Sequence, residues 1–135
     1  MTRKIVLIAG PTASGKSKIA IEIAKKIKGE IINADSMQVY KEFSILTSRP
    51  PPIDLKKVKH HLYGFQSVKK HFSTGAWLEL VKKQIYKCLK NKSIPILVGG
   101  TGLYFEAITK GMSKIPNIDS EKRDKIRDLQ KKIGQ

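Results

Sequence analysis

The chain has 135 residues, of which 40% are apolar, and a single cysteine, Cys88. This length predicts about one globular domain, and the apolar content excludes a disordered polypeptide. A single cysteine cannot form an internal disulfide. No apolar run approaches the roughly 20 residues that a membrane span requires. The net charge of +16 favours a polyanionic partner such as nucleic acid, although only four of the 27 basic residues are arginine and a lysine-rich composition explains the charge equally well.

The first motif follows a short apolar run. Residues 4–9 are typical of a buried strand, residues 10–17 read G-P-T-A-S-G-K-S, and a helical apolar pattern begins directly afterwards. The motif satisfies the P-loop pattern, in which glycine-rich backbone and a helix N-terminus attract phosphate groups. It predicts a diphosphate- or nucleotide-binding loop made of Gly10, Pro11, Thr12, Ala13, Ser14, Gly15, Lys16 and Ser17. In this pattern Lys16 supplies a mobile cation and Ser17 a hydroxyl ligand for Mg²⁺. Because a cleaved signal peptide would destroy this loop, we expect no secretion signal.

A second strand is predicted at residues 30–34, and Asp35 follows it. Ligands of open α/β sheets bind outside the carboxyl ends of the strands, so we expect Asp35 to face the same crevice as the P-loop. Asp35 is the only acidic residue at a predicted strand end. It is therefore a magnesium partner, a base acting on substrate, or a cap for the next turn.

The rest of the chain alternates irregular and periodic segments. Residues 37–71 lack periodicity, and the three prolines at 50–52 predict extended backbone rather than helix. We expect Ser73 to be the N-cap of a helix. A third strand is predicted at residues 95–98, directly before Gly-Gly-Thr-Gly, and further helices are predicted at residues 103–110 and from residue 119 onward.

This order of elements predicts an α/β fold, with a P-loop-type parallel sheet and flanking helices. Only three strands are visible, so we expect an incomplete sheet and an N-terminal portion of a longer protein. Residues 1–116 would form the P-loop core and residues 117–135 the start of a truncated helical insertion.

Four segments together resemble the tRNA dimethylallyltransferase (isopentenyl-tRNA transferase) family. They are the P-loop, D-S-M-Q-V-Y at 35–40, H-H-L at 60–62 and L-V-G-G-T-G-L-Y at 97–104. The resemblance covers roughly residues 4–116. It implies transfer of a dimethylallyl group from dimethylallyl diphosphate to N6 of the adenosine on the 3′ side of the tRNA anticodon, with Mg²⁺ as cofactor. The missing secretion signal, the single cysteine and the absence of a membrane-length apolar run predict a cytoplasmic protein without membrane association. We expect the full-length enzyme to be a monomer.

The resemblance also implies roles for individual residues. Asp35 would be the general base, Thr12 would act at the diphosphate near the reacting centre, and Thr101 would contact tRNA at the reaction channel. The residues expected to bind tRNA are Asp35, Ser36, Met37, Gln38, Thr101 and Arg123.

Two further features have no settled role. Arg49 either contacts the phosphate backbone or stays solvated. His60 and His61 are expected to be a structural or channel-rim pair rather than a metal site, since no carboxylate or cysteine is spaced near them in the sequence.

Two alternatives stay open. A small nucleotide or metabolite kinase would use the same P-loop on ATP and would need a second carboxylate near the metal. A catalytically inactive RNA-binding fragment would use the basic surface without depending on Asp35.

Overall fold

The structure is a computed structural model that describes residues 4–113 and 118–134. Its centre is a four-stranded sheet of β1 (Val6–Ala9), β2 (Gly29–Asn33), β3 (His60–His61) and β4 (Ile94–Gly99). The strand order is β1-β4-β2-β3, and all neighbouring strands are parallel. The predicted α/β fold is confirmed, with one strand more than predicted. β3 has two residues, which is too short to produce a periodic pattern.

Helices lie in the connections between these strands and after them. In the described ranges they are α1 (Lys16–Ile27), α2 (Pro52–Leu55), α3 (Thr74–Lys90), α4 (Gly102–Lys110) and α5 (Ser120–Ile133). Ser73 is the N-cap of α3, as predicted, and its Oγ accepts from the Ala76 N–H at 3.1 Å.

Alternate strand residues pack against different helices, because side chains of a strand point to opposite faces. Ile31 belongs to a core cluster with α1, whereas the next residue, Ile32, belongs to a cluster with α3 and α4. β4 is paired on both sides, and its residues from Pro95 to Gly99 are buried. The carboxyl ends of β1 and β2 therefore meet on either side of Gly99.

One local expectation was wrong. The segment at 50–52 is not wholly extended, because α2 begins at Pro52 after an extended Pro51 with φ −67° and ψ 160°. Proline is tolerated at the first helical position, where its missing N–H has no intrahelical partner to lose.

The predicted boundary between the core and the helical insertion, at residues 116 and 117, lies outside the described residues. Beyond it, α5 has no buried residue, and Ile126, Leu129 and Ile133 are exposed. Among the helices of the described ranges, none is both long and apolar enough to span a bilayer.

Candidate active site

The P-loop connects β1 to α1 and has the backbone of an anion-binding turn. Gly15 is the N-cap of α1 in the left-handed region, with φ 83° and no side-chain capping bond, and Ala13 also has a positive φ of 60°. A non-glycine residue in that region is uncommon and costs on the order of 1 kcal/mol or more. The first turn of α1 contains no acidic residue. Its positive end is therefore open to an anion.

Lys16 folds back over this loop. Its Nζ donates to the Pro11 carbonyl oxygen. A Cβ added to Gly10 would lie 3.2 Å from Ser14 Oγ and 3.8 Å from Lys16 Cδ, so the loop closes tightly over its first glycine. The ammonium group lies across the turn that a phosphate would occupy, within reach of an anion bound there.

Two cavities adjoin at Thr12. One, of about 320 Å³, is lined by residues 12–18 from the P-loop and the first turn of α1, together with Gln38, Ser48, Pro50, Pro51 and Asp54. The other, of about 470 Å³, is lined by Pro11, Thr12, Asp35, Ser36, Met37, Phe43, Leu46, Thr47, Gly100 and Thr101. Thr12 lines both cavities, and the larger cavity is lined by Asp35 as well as by Pro11 and Thr12 of the P-loop. The two adjoining cavities are together called the cleft.

Asp35 is held in place by a buried amide. Asn33 is fully buried; its Oδ1 accepts from the Asp35 N–H at 3.0 Å, and its Nδ2 donates to the carbonyl oxygens of Asp35 and Leu62, both at 3.0 Å. The backbone on both sides of the Asp35 side chain is therefore fixed, and the end of β2 is tied to the segment after β3.

The two carboxylate oxygens of Asp35 have different surroundings. Oδ1 accepts from the N–H groups of Met37 at 2.9 Å and Gln38 at 3.3 Å, so Asp35 does cap the next turn. Oδ2 lies over Gly100, where an added Cβ would be 3.7 Å away. Capping uses one oxygen, and the other is directed to the cleft.

Gly99 and Gly100 bring the P-loop and Asp35 together. The N–H of Gly10 donates to the Gly99 carbonyl at 3.2 Å. A Cβ on Gly99 would lie 2.1 Å from the Ala34 carbonyl carbon and oxygen, and one on Gly100 would lie 2.9 Å from the Gly10 oxygen. Only glycine allows this close approach of the backbones.

Thr101 and Ser36 form a second link across the cleft. Thr101 Oγ1 accepts from the Ser36 N–H at 2.8 Å and donates to Ser36 Oγ at 3.2 Å. These bonds join the segment after β4 to the segment after β2.

The segment after Asp35 supplies an apolar wall. Met37, Phe43 and Leu46 line the larger cavity, and Leu46 is 83% exposed. Gln38 instead lines the P-loop cavity and is buried; its Nε2 donates to the carbonyl oxygens of Thr47 at 2.8 Å and Ser48 at 3.3 Å. The Gln38 amide therefore stabilises the backbone of the segment from residue 38 to residue 48.

Two aromatic residues support the end of β2, next to the cleft. The Trp77 and Tyr104 rings stack with centroids 4.1 Å apart, and Trp77 Nε1 donates to the Asn33 carbonyl oxygen at 2.9 Å. Burial, with smaller contributions from the charges of Tyr40 and Asp35, raises the pKa of Tyr104 to about 12. Sequence reasoning missed Asn33, Trp77 and Tyr104 as supports, although an asparagine ending a buried apolar strand is unusual enough to mark a position.

Most of the sequence-predicted site residues lie around the cleft. Arg123 does not: it is an exposed residue of α5 and lines neither cavity. Arg49 is half-buried against Gly64, and its Nη1 donates to the Tyr40 carbonyl oxygen at 3.3 Å. Arg49 therefore stabilises the loop rather than staying fully solvated.

The histidine pair lies away from both cavities. His60 Nδ1 is 2.8 Å from the Val58 carbonyl oxygen, and its ring packs edge-on against Tyr63. His61 Nε2 lies 2.6 Å from Glu30 Oε2, and Cys88 lies beside the same carboxylate. No carboxylate or cysteine is spaced near this pair in the sequence, but the fold brings Glu30 and Cys88 to His61.

Comparisons with known proteins agree on one family. A family model described as IPP transferase matches residues 38–135. The tRNA dimethylallyltransferase of Pelagibacter ubique is 61% identical over 132 residues, which cover 98% of this chain and 42% of that protein. The tRNA dimethylallyltransferase of Rickettsia felis is 45% identical over 135 residues, covering 99% of this chain and 44% of that protein.

Solved structures show the same similarity. The full-length tRNA isopentenylpyrophosphate transferase of Bacillus halodurans superimposes with a TM-score of 0.80 at 33% identity, over 98% of this chain and 44% of that one. A eukaryotic dimethylallyltransferase acting on tRNA superimposes with a TM-score of 0.81 at 29% identity, over 91% of this chain and 32% of that one. The chain spans less than half the length of each of these relatives. From the extent of the family match and these identities, the chain belongs to the IPP transferase family.

Proposed function

We propose that this chain supplies the diphosphate site and the general base of an enzyme that transfers a dimethylallyl group from dimethylallyl diphosphate to N6 of an adenosine in tRNA. The target would be the adenosine on the 3′ side of the anticodon. The observation that supports this most strongly is the shared wall at Thr12, because it puts a phosphate-binding loop and a carboxylate on one cleft. The larger cavity, about 470 Å³, is within the usual range for a small-ligand site.

The P-loop would take the leaving group. As the bond between the allylic carbon and the diphosphate oxygen breaks, negative charge grows on the departing pyrophosphate. The N-terminus of α1 and the Lys16 ammonium group lie where they would stabilise that charge. The Ser17 hydroxyl fits Mg²⁺, which prefers oxygen ligands and keeps several waters, and would hold it against the diphosphate. When bound, this ion supplies further charge neutralisation.

Asp35 would act on the nucleophile. The adenine amino group is a poor nucleophile because its lone pair is delocalised into the ring. As N6 bonds to the allylic carbon, its proton would pass to Asp35 Oδ2, the oxygen that does not cap the next turn. The Asn33 bonds would hold that carboxylate in position.

The remaining cleft residues would orient the two reactants. Met37, Phe43 and Leu46 offer apolar surface to the isoprenoid and to a base turned out of the RNA. Thr101 and Ser36 would contact the tRNA close to the reacting atoms, and Arg123 would contact it from α5. We also propose a cytoplasmic location and a monomeric full-length enzyme, in keeping with a tRNA substrate.

The test uses the chain alone and a chimera in which it replaces the matching part of the Pelagibacter relative. Each is incubated with labelled dimethylallyl diphosphate, Mg²⁺ and tRNA carrying adenosine 3′ to the anticodon. We expect prenylated adenosine from the chimera, none after Asp35→Ala, and unchanged product from a matched surface control, Asp128→Asn.

Three outcomes would contradict the proposal. One is phosphoryl transfer from ATP without any prenyl transfer, which would indicate a kinase. Another is salt-sensitive tRNA binding without product, unaffected by Asp35→Ala, which would indicate an RNA-binding fragment. The last is full activity of the chimera after Asp35→Ala.

A further inference from the structure

Three potential metal ligands from separate elements meet beside the sheet, away from the cleft. Glu30 comes from the start of β2, His61 from β3 and Cys88 from the last turns of α3. His61 Nε2 lies 2.6 Å and Cys88 Sγ 3.7 Å from Glu30 Oε2, and all three donor atoms lie within 4.8 Å of one another. Cys88 is fully buried and Glu30 is 8% exposed.

We propose that Glu30, His61 and Cys88 bind a zinc ion. A thiolate, an imidazole nitrogen and a carboxylate oxygen form a donor set that suits Zn²⁺, whereas Mg²⁺ and Ca²⁺ take oxygen ligands. Tetrahedral bonds of about 2.0–2.3 Å place neighbouring donor atoms roughly 3.3–3.7 Å apart. The separation of Cys88 Sγ from Glu30 Oε2 already has this value.

The surroundings of Glu30 leave one of its oxygens for the metal. Ser93 Oγ donates to Oε1 at 2.7 Å, and Lys59 Nζ lies 3.9 Å from the same oxygen. Oε2 is the oxygen that faces both His61 and Cys88. Glu30 would therefore be a monodentate ligand whose orientation is set by Ser93, as outer partners of metal ligands commonly do.

Binding requires two local changes. His61 Nε2 and Glu30 Oε2 must separate by roughly 0.7 Å to admit the ion between them, a shift within reach of side-chain rotation. The Cys88 proton must leave to solvent as the sulfur bonds to zinc. A water would be the fourth ligand.

The ion would be structural. The site ties the two-residue β3 and the end of α3 to β2, and β3 otherwise has only two pairs of partner residues with β2. None of the three ligands lines either cavity of the cleft. The inference is therefore independent of the proposed transferase reaction.

The competing explanation is an ion pair between His61 and Glu30 with Cys88 as a packing residue. Untagged, metal-free chain titrated with Co²⁺ distinguishes the two. We expect one equivalent of Co²⁺ to produce a thiolate-to-cobalt charge-transfer band in the near ultraviolet and visible bands typical of tetrahedral coordination. Zn²⁺ should displace the Co²⁺, bind with one-to-one stoichiometry in calorimetry, and raise the Tm.

Matched variants complete the test. Cys88→Ala should abolish the charge-transfer band, and His61→Asn should weaken zinc binding at least about tenfold. His60→Asn and His71→Asn should bind like the unchanged chain. Cys88→Ala removes only one sulfur atom from a buried position, so we expect this variant to fold. Its charge-transfer band therefore tests the proposal even if His61→Asn does not fold. Absence of stoichiometric Co²⁺ binding, or a band that persists in Cys88→Ala, would overturn the proposal.

Discussion

The closest backbone approach around the cleft gives the sharpest stability prediction, for Gly99→Ala. An added Cβ would lie 2.1 Å from the carbonyl carbon and oxygen of Ala34 and 2.7 Å from the Asp35 nitrogen. Ordinary contacts between such atoms are about 3.5–4.0 Å. Because these neighbours are backbone atoms, no side-chain rotation relieves the clash, and β4 and the end of β2 must separate by more than 1 Å.

The cost follows from what this separation disturbs. Overpacking a close-packed site costs about 1–3 kcal/mol. The bonds from Ala34 N–H to Val98 at 2.8 Å and from Thr101 N–H to Ala34 at 3.4 Å are stretched as well, at about 0.5–1.5 kcal/mol each. We therefore expect Gly99→Ala to lower the free energy of unfolding by about 2–6 kcal/mol.

Urea denaturation followed by circular dichroism measures this change, with Gly102→Ala as the control. A Cβ on Gly102 meets no atom within 4 Å, and Gly102 begins α4. We expect that control to be unchanged or more stable by up to about 1 kcal/mol, since alanine favours helix. A Gly99→Ala chain as stable as the unchanged one would refute the close approach of the strand ends.

Three more predictions concern the residues that support the cleft and the N-terminus of α3. Asn33→Ala leaves the Asp35 N–H and two carbonyl groups without their partner, so urea denaturation should show a free energy of unfolding lower by about 2–4 kcal/mol. In the chimera the same change should lower kcat more than it alters KM, because Asp35 is then held less precisely. Unfolded tyrosine titrates near pH 10 and Tyr104 in the fold at about 12. The contribution of neutral Tyr104 to stability is therefore full below pH 10 and is lost as the pH rises towards 12, which denaturation midpoints at successive pH values will show. Ser73→Ala removes the cap bond to Ala76 and should cost about 1 kcal/mol in the same denaturation assay, whereas Ser73→Asp should restore most of it.

Sequence patterns predicted the parts of the cleft that obey local rules. The P-loop was recognisable because its spacing is set by backbone geometry around a phosphate. The position of Asp35 beside it followed from the rule that ligands bind at the carboxyl ends of parallel strands. The N-cap at Ser73 was equally local, since the capping residue lies next to the helix that it caps.

Features that depend on strand order were not predictable. Nothing in the local pattern placed β4 between β1 and β2, and that placement is what makes Gly99 the contact point of both strand ends. The short β3 gave no periodic pattern, and its His61 meets a carboxylate 31 residues away in the sequence. Cys88 meets the same carboxylate from 58 residues away. Contacts of this kind exist only after the sheet and α3 have packed together.

The central claim is that Lys16 stabilises the departing pyrophosphate while Asp35 accepts the proton from adenine N6. Single-turnover kinetics of the chimera at saturating substrates test this claim most directly. Pyrophosphate affinity is measured on the same proteins by calorimetry. We predict that Asp35→Asn binds pyrophosphate as the unchanged chimera does but transfers the prenyl group at least about 100-fold more slowly. Lys16→Ala should instead weaken pyrophosphate binding at least about tenfold. An Asp35→Asn chimera that keeps its transfer rate would contradict the account.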